Sequence, residues 1–197
     1  MPSFLSFALE TTQERHSLGL FHEQARYDRD QYVNIRTENI IAGYENQFSK
    51  RAPDVMETFA VPYDYGSLMH FNQTHFSRNG HNTIDTKDAN YRYTIGQRTQ
   101  LTFSDAKKIN LAYCKDVCKN ELKCENNGYT DPKNCSRCRC PEAFGGNFCE
   151  HPRKTSSAVC GTNLDLTCSD KKQKIDLSGA EECHYVIRVT SRLMFDP

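Results

Sequence analysis

The stretch His16-Ser17-Leu18-Gly19-Leu20-Phe21-His22-Glu23-Gln24-Ala25-Arg26-Tyr27-Asp28-Arg29-Asp30 carries the most information in this chain. Two histidines six positions apart are not on one face of a continuous helix, so Gly19 between them matters. A glycine there can end a helix with a positive φ and swing His22 back toward His16. That turns a gap in sequence into a shared metal site. On spacing alone the bland reading, two unconnected histidines, stays open beside it.

The surrounding 197 residues set limits on what else the chain can be. The hydrophobic share of 37% lies below the usual ~45–50%, so one large core is not expected. Lys plus Arg and Asp plus Glu number 25 each, with no basic stripe, which gives no reason to expect a nucleic-acid partner. No run approaches the ~20 apolar residues of a membrane span. The opening Met1-Pro2-Ser3-Phe4-Leu5-Ser6-Phe7-Ala8-Leu9 lacks the basic start and the apolar length of a signal peptide. All ten cysteines fall between Cys114 and Cys183, which separates two regions of different stabilisation and means an oxidising compartment or a metal–thiolate site.

The first region reads as short helices joined by polar loops. Ile40, Ile41, Tyr44 and Phe48 fall on one helical face, which predicts a helix over 37–48. Ser104 followed by Asp105 predicts a helix start, with Ala106, Ile109 and Ala112 or Tyr113 facing inward. Asn79-Gly80 between Phe76 and Ile84 is a hairpin signal. After Cys149 the polar run from Glu150 to Ser157 suits a linker.

His22-Glu23 with Arg26, Asp28, Arg29 and Asp30 resembles the back half of the astacin signature H-E-x-x-H-x-x-G-x-x-H-E-x-x-R-x-D-R. The resemblance continues through Tyr63-Asp64-Tyr65-Gly66-Ser67-Leu68-Met69-His70, which looks like that family's Met-turn. It implies a secreted zinc metalloendopeptidase of the metzincin type acting on extracellular proteins or peptides. His16 and His22 would be zinc ligands, Met69 an apolar floor under the metal and His70 not a ligand. Glu23 would match the glutamate that pairs with the mature amino terminus. The fold class implied is α+β, with the downstream lobe of the protease domain over 15–113 built mostly of helices and loops, behind an atypical segment 1–14.

The pattern then departs from the family in three places. A hydrolytic zinc site has three protein ligands, the first two at i and i+4, with a glutamate just after the first. Counting back from His16, the first-ligand position is Thr12 and the general-base position is Gln13. Threonine is a poor zinc ligand, and neutral glutamine can hold a water without taking its proton. Glu14 stands one residue too late, its carboxylate off the histidine face. Phe71 stands where the family carries a tyrosine, keeping the ring and losing the hydroxyl. Losing an oxyanion donor costs ~10²–10³ in rate and losing a base ~10²–10⁴. Only residues 1–15 precede His16, so the family's upstream lobe is not expected in this sequence, which reads as an N-terminally truncated member with little or no activity.

Cys118, Cys124, Cys135, Cys138, Cys140 and Cys149 form a six-cysteine set closed by Cys140-Pro141-Glu142-Ala143-Phe144-Gly145-Gly146-Asn147-Phe148-Cys149. The closing stretch resembles the end of an EGF-like domain, placed here at 114–151. That likeness implies the pairs Cys118–Cys135, Cys124–Cys138 and Cys140–Cys149, and no residue set suggests calcium. A zinc–thiolate knot around Cys135-x-x-Cys138-x-Cys140 is the competing reading. Beyond a linker at 152–159, Cys160-Gly161 and Glu182-Cys183-His184-Tyr185 look like the opening of a CUB β-sandwich over 160–197, implying a Cys160–Cys183 bond. That likeness leaves Cys168 unexplained, and the family's partner for Cys114 lies upstream. Asn72-Gln73-Thr74 is a glycosylation sequon, and Asn134-Cys135-Ser136 another. The rival to an enzyme is a non-catalytic extracellular binding module using the EGF-like and CUB-like parts.

Overall fold

The computed structural model describes residues 16–153, 165–167, 183 and 185–188, and the chain divides between Lys115 and Asp116 into two units. Thr12, Gln13 and the segment 1–14 lie outside the described residues, as does Cys160.

In the first unit the backbone is mostly loop, stitched by single 3-10 turns at Glu23–Ala25, Arg29–Gln31, Thr37–Asn39, Glu45–Phe48 and Ala89–Tyr91. Strand β1 (Val33–Ile35) pairs antiparallel with β2 (Ile84–Thr86), setting Val33 opposite Thr86 and Ile35 opposite Ile84. A core of Val33, Ile40, Phe48, Tyr63, Phe71, Ile84 and Ile95 packs around this ribbon. Loops this dense leave carbonyls without ladder partners, and buried carbonyls must be paired. Arginines do that here: Arg29 Nη1 donates to Gln24 O at 2.9 Å and Phe48 O at 2.6 Å, and Arg26 Nη1 to Val61 O at 3.0 Å.

The helix expected over 37–48 does not form. Two 3-10 turns replace it, with Gly43 at φ +90 between them. Ile40 and Phe48 are buried, while Ile41 and Tyr44 are 39% and 45% exposed. The physical reason is long-range pairing. Ile40 bridges Ser77, and Ile41 N–H donates to Phe76 O at 2.9 Å, so the backbone bonds a helix would use go to another segment. The hairpin at Asn79-Gly80 fails for the same reason: Gly80 does turn with φ +80, but Ile84 pairs with Ile35 and Ser77 with Ile40.

Helix α1 (Phe103–Cys114) starts ahead of Ser104, because Thr102 is the cap and its hydroxyl accepts from Asp105 N–H at 3.1 Å. Its buried residues are Asp105, Lys108 and Ile109, whereas Ala112 and Tyr113 are exposed. Two charged groups thus take the inward face where the sequence pattern places small and aromatic residues. Of the helices expected in the protease-like region, α1 is the one whose whole length lies among the described residues.

In the second unit β3 (Tyr129–Asp131) pairs with β4 (Asn134–Arg139) across a bulge, and β5 (Phe144–Gly145) with β6 (His151–Pro152). Cys118–Cys135, Cys124–Cys138 and Cys140–Cys149 are disulfide-bonded, which removes the zinc–thiolate alternative, since none of those sulfurs is a thiolate. Gly128 is required by its surroundings: a Cβ there would sit 2.6 Å from Cys149 Sγ. Cys114 is free and half-buried. Arg153 N–H donates to Ala143 O at 2.8 Å, so pairing runs into the stretch read as linker, whose residues 154–159 lie outside the described ones. A parallel pair, β7 (Asp165–Thr167) with β8 (Val186–Arg188), is what is described of 160–197. Cys183 is disulfide-bonded. No described helix is long and apolar enough to cross a membrane.

Candidate metal centre

His16 and Ser17 are helical, and the helix is closed by Gly19, whose N–H donates to His16 O at 2.9 Å with φ at +81. The reversal brings the two imidazoles together, edge to face, with centroids 4.7 Å apart. His16 Nδ1 lies 2.8 Å from Leu20 O and His22 Nδ1 2.9 Å from Met69 O. A carbonyl only accepts, so each Nδ1 carries a proton, and in the neutral ring that leaves the lone pair on Nε2, the tautomer a metal ligand needs. Burial holds the His22 pKa below its ordinary value, and the neighbouring His16, His75 and Arg98 push the same way against the Met69 hydrogen bond.

The turn under these histidines is fixed from several sides. Asp64 Oδ1 accepts from Gly66 N–H at 2.9 Å, and Ser67 N–H donates to Asp64 O at 3.0 Å. Asp105 takes the Ser67 hydroxyl at 2.8 Å and the Leu68 N–H at 3.0 Å. Arg98 Nη1 donates to Leu68 O and His70 O. Met69 is 1% exposed. His70 is fully buried with both nitrogens engaged, Nδ1–H on Phe71 O and Nε2 accepting from the Tyr63 hydroxyl, each at 2.7 Å. It has no lone pair left for a metal, and burial drops its pKa to about 4. The Phe71 ring lies 4.4 Å from His22 and 4.1 Å from His75, and its N–H donates to Gln24 Oε1 at 3.0 Å.

Glu23, beside His22, is 1% exposed and is bonded on both carboxylate oxygens. Its Oε1 accepts from Arg26 Nη1 at 3.1 Å and Asp64 N–H at 3.0 Å, and its Oε2 from Lys108 Nζ at 2.6 Å. Burial pushes the Glu23 carboxyl up, opposed by Lys108 and Arg26. Arg26 also grips Asp28, at 2.8 and 2.7 Å, and holds that carboxyl below its ordinary value. Sequence reasoning misses Lys108 and gives Asp105 only a place at the helix start. Their only signal is the i, i+3 spacing on α1, which solvated charges share.

Among the described residues no group of three or more His, Cys, Asp or Glu is placed to hold a metal ion. Zinc takes three protein ligands in a hydrolytic site, and His16 and His22 fit two of them in chemistry and tautomer. The described residues supply no third.

A paired histidine loop over a buried methionine turn, with one helix behind it, belongs to the zinc-peptidase class of folds. The family profile described as Astacin, a family of peptidases, matches residues 7–114, and the chain belongs to that family. It is 49% identical over 173 residues to zinc metalloproteinase nas-34 of Caenorhabditis elegans, covering 88% of this chain and 28% of that protein. It is 45% identical over 166 residues to zinc metalloproteinase dpy-31 of Haemonchus contortus, covering 84% of this chain and 30% of that protein. The chain thus spans less than a third of either curated relative. Among solved structures it is 39% identical to High choriolytic enzyme 1, a hatching enzyme zinc-protease from Oryzias latipes, covering 50% of this chain and 48% of that one with a TM-score of 0.46.

Proposed function

We infer that this chain carries the downstream part of an astacin-type zinc metalloendopeptidase site, with His16 and His22 as two of its ligands, and that the sequence as it stands hydrolyses peptide bonds poorly or not at all. The observation that supports the ligand reading is the pair of facing imidazoles, each with Nδ1–H on a backbone carbonyl. In a complete site a bound zinc supplies Lewis acidity toward water and a peptide carbonyl. What this chain's residues contribute is two oriented imidazoles held by backbone carbonyls, one of them Met69 O, with the buried Phe71 ring, which has no hydroxyl, packed against His22. Thr12 and Gln13 stand at the first-ligand and general-base positions of the family pattern, which supports the reading of low activity.

Secretion is supported by the three disulfides of the second unit, since such bonds persist in oxidising compartments. Their order, first to third, second to fourth and fifth to sixth, supports the EGF-like reading of 114–151. The CUB-like reading of 160–197, with its Cys160–Cys183 bond, rests on sequence likeness. Asn72 is exposed and is proposed as a glycan acceptor. Extracellular proteins or peptides are the proposed substrates of the site in complete form. A non-catalytic extracellular binding module using the EGF-like and CUB-like parts is the second reading, favoured by the three disulfides over 118–149 together with only two candidate ligands among the described residues.

Zinc titration of the full chain tests this. The Thr12→His, Gln13→Glu, Phe71→Tyr triple variant is expected to bind zinc about 10²-fold more tightly or better, the value of one strong ligand. Stoichiometric zinc retained by the unaltered chain through dialysis against a mild chelator would show that the ligand set is already complete.

A further inference from the structure

His22 and Glu23 hang from one atom. The His22 Nδ1–H and the Glu23 backbone N–H both donate to Met69 O, at 2.9 and 3.3 Å. Anything that fixes Glu23 therefore fixes the carbonyl that sets the tautomer and orientation of the His22 ring. Of the three groups on the Glu23 carboxylate, Arg26 is local and shared with Asp28, and Asp64 N–H belongs to the loop leading into the methionine turn. The third, Lys108, comes from α1, 85 residues away, and makes the shortest of the three contacts. Three positions earlier on the same helix, Asp105 holds Ser67 and Leu68, just before Met69. One face of α1 thus grips both chain segments that meet at Met69 O.

Stability alone does not account for this arrangement. The Glu23 and Lys108 side chains are 1% and 7% exposed, and a buried ion pair is often no more stabilising than well-packed apolar residues of the same volume. What such a pair offers beyond energy is fixed geometry. A lysine whose ammonium is removed from water onto one carboxylate oxygen defines where that oxygen sits.

We propose that Lys108 is a positioning residue for the metal centre: from α1 it fixes Glu23, and through the shared Met69 carbonyl it holds the His22 ring with Nδ1 protonated and Nε2 ready to ligate. Its functional meaning rests on the reading of His22 as a zinc ligand. Lys108 touches neither histidine nor any reacting group. The site's order is thus set partly by a helix that carries neither histidine.

The test uses the full chain with histidine labelled at its nitrogens. Nitrogen NMR without metal reads the His22 tautomer, assigned with His22→Gln, and titration with zinc ion alone reads affinity. Lys108→Met is expected to give a mixed His22 tautomer and about tenfold weaker zinc binding, as loss of outer-shell support does at other metal sites. Lys108→Arg restores both to within about twofold, because it returns a cation to Glu23. The cavity of about 230 Å³ lined by Glu23, Lys108, Ile109 and Phe21 admits a finer control. In Lys108→Ala, n-propylammonium rescues the tautomer and n-propanol of like size does not. Ile109→Ala lowers thermal stability from the next buried position on α1 and leaves the His22 tautomer unchanged. Should Lys108→Met fail to fold, Glu23→Gln with Lys108→Met removes both charges, and its His22 signal is expected to match that of Glu23→Gln alone. The proposal is overturned if Lys108→Met keeps the native tautomer and affinity, or if Ile109→Ala disturbs His22 as much. A native chain that binds no zinc while Lys108→Met still scrambles the tautomer supports the linkage and removes only the ligand reading.

Discussion

The two units solve the same problem with different chemistry. From Asp116 to Arg153 the buried residues are Cys118, Cys138, Cys149 and Asp131, so cysteine sulfur is nearly all there is inside. A segment that small cannot bury enough apolar surface to offset its chain entropy, and covalent links take over. Up to Lys115 the described residues contain no disulfide and one free cysteine, Cys114. There a modest aromatic and aliphatic core is supplemented by buried charges, Glu23, Arg26, Asp105 and Lys108, each 6% exposed or less. One unit constrains the unfolded chain; the other specifies the folded one through pairs that work only in register.

Reduction should separate the units most sharply. A reducing agent that opens Cys118–Cys135, Cys124–Cys138 and Cys140–Cys149 removes about 2–4 kcal/mol per bond from the second unit, enough to unfold it. Amide hydrogen exchange by mass spectrometry on the intact chain should then show lost protection after Asp116 and none lost across β1 and β2. Loss in both regions at once would mean that the first unit depends on the second.

The converse perturbation is Glu23→Ala, which leaves Lys108 and Arg26 as buried cations without their carboxylate. Breaking one side of such a set costs about 3–5 kcal/mol, read by urea unfolding of the first unit with the disulfides of the second untouched. A loss below about 1 kcal/mol would place Glu23 in the class of solvated charges.

Acid should act in the same unit by a smaller margin. His70 takes a proton near its ordinary 6.5 when unfolded and only near about 4 when folded. Between those values the unfolded state binds the extra proton, so stability falls as pH drops from about 6.5 to about 4, by up to about 3 kcal/mol. Glu23, raised by burial, works in the opposite sense. Urea midpoints across that window in the native chain and in His70→Gln isolate the histidine part, which the variant should lack.

The smallest effect expected is at Thr102, whose hydroxyl caps α1. Thr102→Ala should cost about 1 kcal/mol in thermal unfolding of the first unit. Its hydroxyl also donates to Asp64 Oδ2 at 2.6 Å, so a loss well above that figure would show the cap and the methionine-turn loop acting together.

What could be read without coordinates was local or covalent. Gly19 between His16 and His22 encodes its reversal through a backbone preference that needs no partner. The cysteine pairs of the small unit were legible only as what its resemblance to an EGF-like domain implies. The sequence could also place Phe71 where a hydroxyl was expected, because that is a matter of residue type. What it left undecided was where backbone and charged groups find distant partners. The run from Ile40 to Phe48 has helical periodicity, but Ile40 and Ile41 bond to Ser77 and Phe76 instead. Lys108 and Asp105 look like surface charges until tertiary structure brings Glu23 and Ser67 against α1. Conformational preference is carried by each residue and its neighbours; the pairing of buried charges and backbone groups depends on segments up to 85 residues apart, and only folding brings those together.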